Sequence, residues 1–396
     1  MSLPVLIVTP WYGRRERGGV ALAVENLVYA LRGRGVGCFV LVTGGNGWFP
    51  RLARGEMEEP IVYLPLRHRH GRSKGAKSFF GYWLRFLMAW VVLSFVFIRY
   101  RCPVVHFHYC AEEYDELLRI VRAFDRLIVT TFHGSDIFIA ADTAPTKHVI
   151  RKLITSSTIV TTVSQGLLQE LRRKFPDVEA RSTTVHNSVH MKFMAEPSDS
   201  GASAVGDLDL LFVGALLPIK GPDLLLDAFA GVIEQRPDVS LCIVGTGLLE
   251  ADLRRRIEKE NLEANVRLVG AVPYGDLMAY YTRAKVIVLP SRSEGFSLVA
   301  AEAAIMGRPV IATSVGGLPE VVVHEGSGII IPPNNAVELS KAILMLLENP
   351  ALSRRLGASA RARALQVFDP GLMAAKYEGL YQEAISTRTN GTSEKR

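Results

Sequence analysis

Along the chain, short runs of β-branched and aliphatic residues alternate with longer stretches in which apolar positions return every three or four residues. "PVLIVT" leads into "GVALAVENLVYALRGRG" and then "CFVLVT"; "PVVHFHY", "RLIVTTFHG", "STIVTTVS" and "STTVHNSV" follow. A short apolar run between two helical patterns is what a parallel strand covered on both faces looks like. The second half repeats the theme with "LDLLFVGA", "VSLCIVGTG", "NVRLVGAV", "KVIVLPS", "RPVIATS" and "SGIIIPP". The pattern predicts two doubly wound, Rossmann-like α/β units in series. Met194 to Asp207, "MAEPSDSGASAVGD", reads as the linker between a first domain, 1–193, and a second, 208–368. One more helical pattern, 369–386, has no strand of its own, and 387–396 reads as a disordered tail.

One segment departs from this rhythm. "SFFGYWLRFLMAWVVLSFVFI", Ser78 to Ile98, is long and apolar, but Arg85 interrupts it and only 13 residues follow without a charge. That falls short of the roughly 20 a membrane span needs. Two readings stay open. The segment is a helix packed on a sheet face, or it lies at an anionic membrane surface, because Arg67, Arg69, Arg72, Lys74 and Lys77 of "RHRHGRSKGAK" directly precede it.

Composition adds limits. With 396 residues, 48% hydrophobic and 21% charged, the chain can bury two cores. The net charge of +7 is uneven, since residues 1–190 carry 25 Lys and Arg against 15 Asp and Glu. No helix-turn-helix, finger or aromatic-interleaved basic motif accompanies that surplus, so nucleic acid is not the expected partner. Cys38, Cys102, Cys110 and Cys242 form no Cys-x-x-Cys pair and no zinc spacing, and read as free thiols of a reducing compartment. The start, "MSLPVLIVTPWYG", enters a strand without a basic leader and does not read as a signal peptide. A cytoplasmic location is therefore expected.

Doubly wound sheets bind ligands at the carboxyl ends of their strands, so the loops after strands are where chemistry is sought. In "VTPWYGRRERGGV", Gly18 and Gly19 precede a helix and could turn bare amides to an anion; a plain flexible turn is the alternative. His133 and Asp136 of "TTFHGSD" follow a strand, where a histidine can hold a sugar hydroxyl or merely cap the loop. Lys220 of "VGALLPIKG" can meet a phosphate as a point charge. "IVGTGLLEADL" lacks the third glycine of a dinucleotide fingerprint, with Glu250 in its place, and Asp207 and Asp209 read as solvated linker charge rather than a metal pair.

The densest candidate is "SRSEGFSLVAAEAAIMGRPVIA", Ser291 to Ala312. "KVIVLP" before it is a strand, and Ser297 is a good N-cap for a helix from Leu298 to about Met306, stopped by Gly307 and Pro309. Glu294 then precedes the helix and Glu302 lies in its second turn. The helix start suits a diphosphate, and a carboxylate can accept hydrogen bonds from both hydroxyls of a sugar or ribose diol.

These residues resemble the Glu-seven residues-Glu motif of the retaining, family 4 glycosyltransferases. The resemblance spans nearly the whole chain, with "RGGV", "PVVHFH", "FHGSD", "TVS", "HNSV", "LLPIKG", "VGTG" and "PSRSEGF" in the family's order. It implies a GT-B fold: two Rossmann-like domains facing across a cleft, with a last helix crossing back to the first. It implies catalytic roles for His133, Lys220 and Glu294. His133 would contact the transferred sugar, Lys220 would neutralise the diphosphate, and Glu294 would hold sugar hydroxyls or stabilise the oxocarbenium-like face. Glu302 would bind the donor ribose, Gly295, Phe296, Ser297 and Leu298 would offer backbone amides, and Gly18 and Gly19 would complete the cradle. The donor would be a nucleotide sugar of UDP or GDP type, with no cofactor and no metal. The acceptor would be a glycan or a lipid-linked sugar of cell-surface polysaccharide or glycolipid synthesis, reached from the cytoplasm or the inner face of the membrane.

Three positions depart from the family. Ala215 stands where an arginine is usual, Asn187, Ser188, Val189 and His190 replace Asn-Gly-Val-Asp, and Leu248 and Leu249 follow the "VGTG" turn in place of the more usual proline. A non-catalytic nucleotide-sugar-binding homologue and a nucleotide-sugar epimerase of the same fold are the competing readings.

Overall fold

The computed structural model describes residues 4–12, 18–44, 49–56, 58–64, 66, 76–194 and 207–393. The chain divides into two compact units, Met1–Asn187 with Pro370–Arg396, and Ser188–Asp369.

The first unit is built on eight strands: β1 (Val5–Thr9), β2 (Cys38–Val42), β3 (Arg51–Arg54), β4 (Pro60–Tyr63), β5 (Val104–His108), β6 (Leu127–Phe132), β7 (Ile159–Thr162) and β8 (Ser182–Thr184). They lie in the order β3-β4-β2-β1-β5-β6-β7-β8. All neighbours are parallel except β3 with β4, an antiparallel edge. The apolar runs mark six of these strands but miss β3, because "RLAR" is largely exposed and polar, as edge strands are, and β4, whose run "PIVY" is only four residues long. Val5, Ile7, Val40 and Val104 pack against Val24, Leu27 and Leu31 of the helix Gly19–Gly33, and against Tyr377 and Tyr381 of the C-terminal helix Pro370–Ser393.

In the second unit β9 (Leu208–Val213), β10 (Leu241–Val244), β11 (Val266–Gly270), β12 (Ala284–Leu289), β13 (Val310–Thr313) and β14 (Gly328–Ile331) form an all-parallel sheet. Its order is β11-β10-β9-β12-β13-β14. Each of the six had its apolar run. In both sheets the winding reverses beside the first strand: β1 lies between β2 and β5, and β9 between β10 and β12. At such a switch point the loops leaving adjacent strands diverge and open a crevice. The loops after β9 and β12 are therefore neighbours, as are those after β5 and β6.

Two expected boundaries shift. The second unit begins at Ser188 rather than after a linker at 194, because Phe193 is buried with its ring 5.5 Å from that of Tyr274 and 5.8 Å from that of Tyr281. Val189 N–H also donates to Phe368 C=O at 3.2 Å. Most of the expected linker, 195–206, lies outside the described residues. At the other end, the helix Pro370–Ser393 runs through most of the segment expected as a tail. The Ser386 and Thr387 hydroxyls donate to Glu383 C=O, and Arg388 pairs with Asp125, so helical bonding and an ion pair hold residues that composition alone marks as polar and loose.

The apolar segment forms the helix Ala76–Tyr100. Ala89, Leu93, Val96 and Phe97 are buried, with Phe97 and Trp90 rings 5.2 and 5.4 Å from that of Phe124. Packing against the body thus holds for one face of it. Arg67, Arg69, Arg72 and Lys74 lie outside the described residues, as does the side chain of Lys77.

Candidate functional site

In the second unit the predicted helix after β12 spans Leu298–Ile305, and Ser297 caps it, its hydroxyl accepting from Ala300 N–H at 3.2 Å. First-turn amides of a helix have no intrahelical acceptor and carry the positive end of its dipole. Phe296 and Leu298 turn their side chains into the protein, the Phe296 ring lying edge-on to Phe368 at 5.4 Å. Their contribution to a ligand is confined to the backbone.

The loop that carries Glu294 is fastened on both sides. Arg292 makes a two-pronged ion pair with Asp223 at 2.9 and 2.7 Å, and its N–H donates to Ile219 C=O. Gly317 N–H donates to Glu294 C=O at 3.0 Å, and Gly316, at φ +50°, lies so close that a Cβ there would sit 1.8 Å from the same oxygen. Gly221, at φ +69°, stops the short turn Pro218–Lys220 in the left-handed region and abuts Pro290 C=O. Held this way, Lys220 Nζ donates to Glu294 Oε2 at 2.5 Å across 74 residues of sequence. The pair is half-buried, with side-chain exposures of 31% and 12%, so charge at its edge is only partly screened by solvent. Ala215 is exposed in the loop after β9.

Glu302 is buried at 3% exposure. Its Oε1 accepts from the Tyr274 hydroxyl and its Oε2 from the Tyr281 hydroxyl, each at 2.8 Å. Burial pushes its carboxyl up to about 7, against the two tyrosine hydrogen bonds, which pull it down. The tyrosines escaped sequence reading. Their positions in "VPYGDLMAYY" look like an ordinary helix start and stripe, and only the fold sets them over the second glutamate.

In the first unit His133 follows β6. Its backbone N–H and that of Gly134 donate to the buried Asp136 carboxylate, at 3.1 and 2.7 Å. Asp136 therefore clamps the loop, and burial raises its carboxyl to about 6 against those N–H bonds. His133 Nε2 lies 3.1 Å from His108 Nδ1. Behind them His106 Nδ1 meets the Tyr381 hydroxyl and His106 Nε2 the Thr131 hydroxyl, both at 2.7 Å, and Thr131 continues to Tyr377 at 3.1 Å. Burial lowers all three imidazoles below their ordinary range, and their mutual proximity lowers His106 and His108 further, so they are neutral near pH 7. His106 and His108 had a readable signal: in a strand, residues two apart share a face.

Gly18 caps the helix Gly19–Gly33 with extended backbone, and neither Gly18 nor Gly19 would place a Cβ within 4 Å of another atom. Asp209 is held by Lys285 at 2.7 Å and by Ser240, and Asp207 by Arg283. The four cysteines are free and buried. Lys220, Glu294, Gly295, Phe296, Ser297, Leu298 and Glu302 thus belong to the second unit, and Gly18, Gly19 and His133 to the first.

Residues 17–193 match the model of "Glycosyltransferase Family 4", and residues 196–363 that of "Glycosyl transferases group 1". An uncharacterized glycosyltransferase of Methanocaldococcus jannaschii is 30% identical over 229 residues, which is 58% of this chain and 61% of that protein. The match thus spans less than two thirds of that relative's length. Two solved structures share the fold. Sucrose-phosphate synthase from Thermosynechococcus elongatus has a TM-score of 0.78 at 23% identity over 97% of this chain and 99% of its own. Anabaena HepE in complex with UDP has a TM-score of 0.75 at 19% identity over 97% and 100%.

Proposed function

The chain belongs to the glycosyltransferases of group 1 and family 4, and we propose from that premise that it moves a sugar from a nucleoside diphosphate sugar to a glycan or lipid-linked acceptor with retention of anomeric configuration. The observation that carries this reading is the Lys220–Glu294 pair at the head of the Leu298–Ile305 helix, with Glu302 buried in its second turn. A helix start flanked by a lysine suits a diphosphate, and the carboxylates suit hydroxyl donors.

As the bond between sugar and diphosphate breaks, negative charge grows on the departing phosphate and positive charge on the anomeric carbon. Lys220 would meet the first and Glu294 the second, each more strongly in the transition state than in the ground state. Their 2.5 Å contact keeps both charges poised before substrate arrives. His133, held neutral, can hydrogen-bond a sugar hydroxyl without adding charge. The donor would be of UDP or GDP type, and the UDP carried by the Anabaena structure supports the first. Four buried free thiols support a cytoplasmic enzyme, and a glycan or lipid-linked acceptor would suit polysaccharide or glycolipid synthesis.

The test is a panel of UDP, GDP and ADP sugars, first by thermal shift and then with simple glycan and lipid-linked acceptors, the anomeric proton of the product being read by NMR. One donor should stabilise the protein and yield an α product from an α donor. Binding without turnover would mark a non-catalytic homologue, and donor conversion without acceptor an epimerase.

A further inference from the structure

The helix Ala76–Tyr100 has two apolar faces, and only one is used. Opposite the buried residues, Trp83, Leu84, Leu87, Val91, Phe95 and Ile98 are 40–72% exposed. From Leu84 onward their spacing of three, four, four and three residues keeps them in one stripe along the helix. Contiguous exposed apolar surface of this extent is uncommon on a protein that meets only water.

The charge around the stripe says what covers it. From Pro60 to Ala111 the sequence contains eight Lys and Arg and no Asp or Glu. Arg67, Arg69, Arg72 and Lys74 precede the helix in the sequence and Lys77 is its second residue, while Arg99 and Arg101, both exposed, follow Ile98 at its other end. An apolar stripe between basic ends is complementary to a surface with hydrocarbon below and negative headgroups above. The window Trp83–Tyr100 is apolar enough to cross a membrane by length and composition, with a mean hydropathy of 1.5. It cannot do so as folded, because Ala89, Leu93, Val96 and Phe97 are at most 4% exposed against the body of the first unit.

We propose that this helix is a membrane-surface element: its exposed stripe lies in the plane of an anionic lipid bilayer, with Arg99 and Arg101 at the headgroups. This goes beyond the transfer reaction and does not depend on it. The enzyme would then work where a lipid-linked acceptor is concentrated.

The full-length protein, without donor or acceptor, is mixed with phosphatidylcholine vesicles and with vesicles containing phosphatidylglycerol, at about 0.1 M and about 1 M salt. Cosedimentation with the anionic vesicles at low salt, a blue shift of tryptophan fluorescence on binding, and release at high salt are expected. Val91→Glu with Phe95→Glu should lower partitioning at least roughly tenfold. Both side chains are solvent-facing, so the variant should keep its circular dichroism and melting temperature. Equal binding by this variant, or no binding by the wild type at low salt, would overturn the proposal. So would a concentration-dependent dimer in sedimentation velocity that the double substitution dissolves, because the stripe would then cover a second copy.

Discussion

His108 Nδ1 lies 3.1 Å from His133 Nε2, while His108 Nε2 is buried with no hydrogen-bond partner among the described residues. A neutral imidazole has one N–H, and a buried N–H without an acceptor is rarer than a buried acceptor without a donor. The proton therefore sits on His108 Nδ1 and is donated to His133 Nε2, which leaves His133 with its own proton on Nδ1. His108 is a positioning residue for His133. His108→Leu should lower kcat roughly tenfold with donor KM unchanged, about 1.4 kcal/mol. His108→Asn keeps an N–H near the δ position and should recover most of the loss. Steady-state kinetics of the two variants decide it; equal losses would assign His108 to packing alone.

Glu302 should make stability depend on pH. Its folded value of about 7 lies above the ordinary 4.5, so between these limits the native state binds the extra proton. Stability from this group is then full below about 4.5 and is lost as pH rises through about 7, on the order of 3 kcal/mol. Glu302→Gln removes the titration. Relative to wild type it should gain stability between about pH 5 and about pH 8, measured by urea unfolding at both. The same variant should weaken binding of donor and free nucleoside diphosphate by roughly 1–3 kcal/mol in calorimetry. An unchanged affinity for both would remove the ribose role.

Lys220→Ala should lower kcat at least roughly a hundredfold, about 2.7 kcal/mol, while donor affinity falls much less. The lysine faces the carboxylate of Glu294 and, with Ala215 where an arginine is usual, has no cation beside it from that position. Ala215 is exposed in the loop after β9, so Ala215→Arg has room to supply charge and should restore part of the loss. A near-normal kcat in Lys220→Ala would show that charge on the leaving group is met elsewhere.

Gly221→Ala is expected to act on the same pair without touching its charges. An alanine would be strained at φ +69° and would place Cβ 2.2 Å from Pro290 C=O. The loops after β9 and β12 must part, at roughly 1–3 kcal/mol of stability, and kcat should fall with the separation of Lys220 from Glu294. A variant as stable and as active as the wild type would show that the close approach is not needed.

The strands of both sheets were legible because buried parallel strands write themselves as apolar runs, and the Ser297 cap because a serine before "LVAAEAAI" has one economical use. Residues Glu294 and Glu302 stood out as charges in an apolar segment. What joins Lys220 to Glu294 was not legible: it is the adjacency of β9 and β12, a property of winding order rather than of spacing. Tyr377 and Tyr381, one helical turn apart, read as an ordinary stripe, and His106 lies 275 residues before Tyr381. The edge pair β3 and β4 and the helical extension past 386 depend on partners more than on local hydrophobicity. β3 and the extension past 386 show only polarity, and the apolar run of β4, "PIVY", is four residues long.

Because the C-terminal helix belongs to the first unit, the chain is not two domains laid end to end: residues 188–369 are an insertion within a unit whose last piece is Pro370–Arg396. During synthesis the inserted unit is complete first. The earlier one must wait on the ribosome with His106 lacking the Tyr381 hydroxyl and with Val24, Leu27 and Val104 lacking the two tyrosines that cover them. Domains of larger proteins usually mature from the N-terminus onward. Here the order is reversed, and the unit begun first is finished after the one inserted into it.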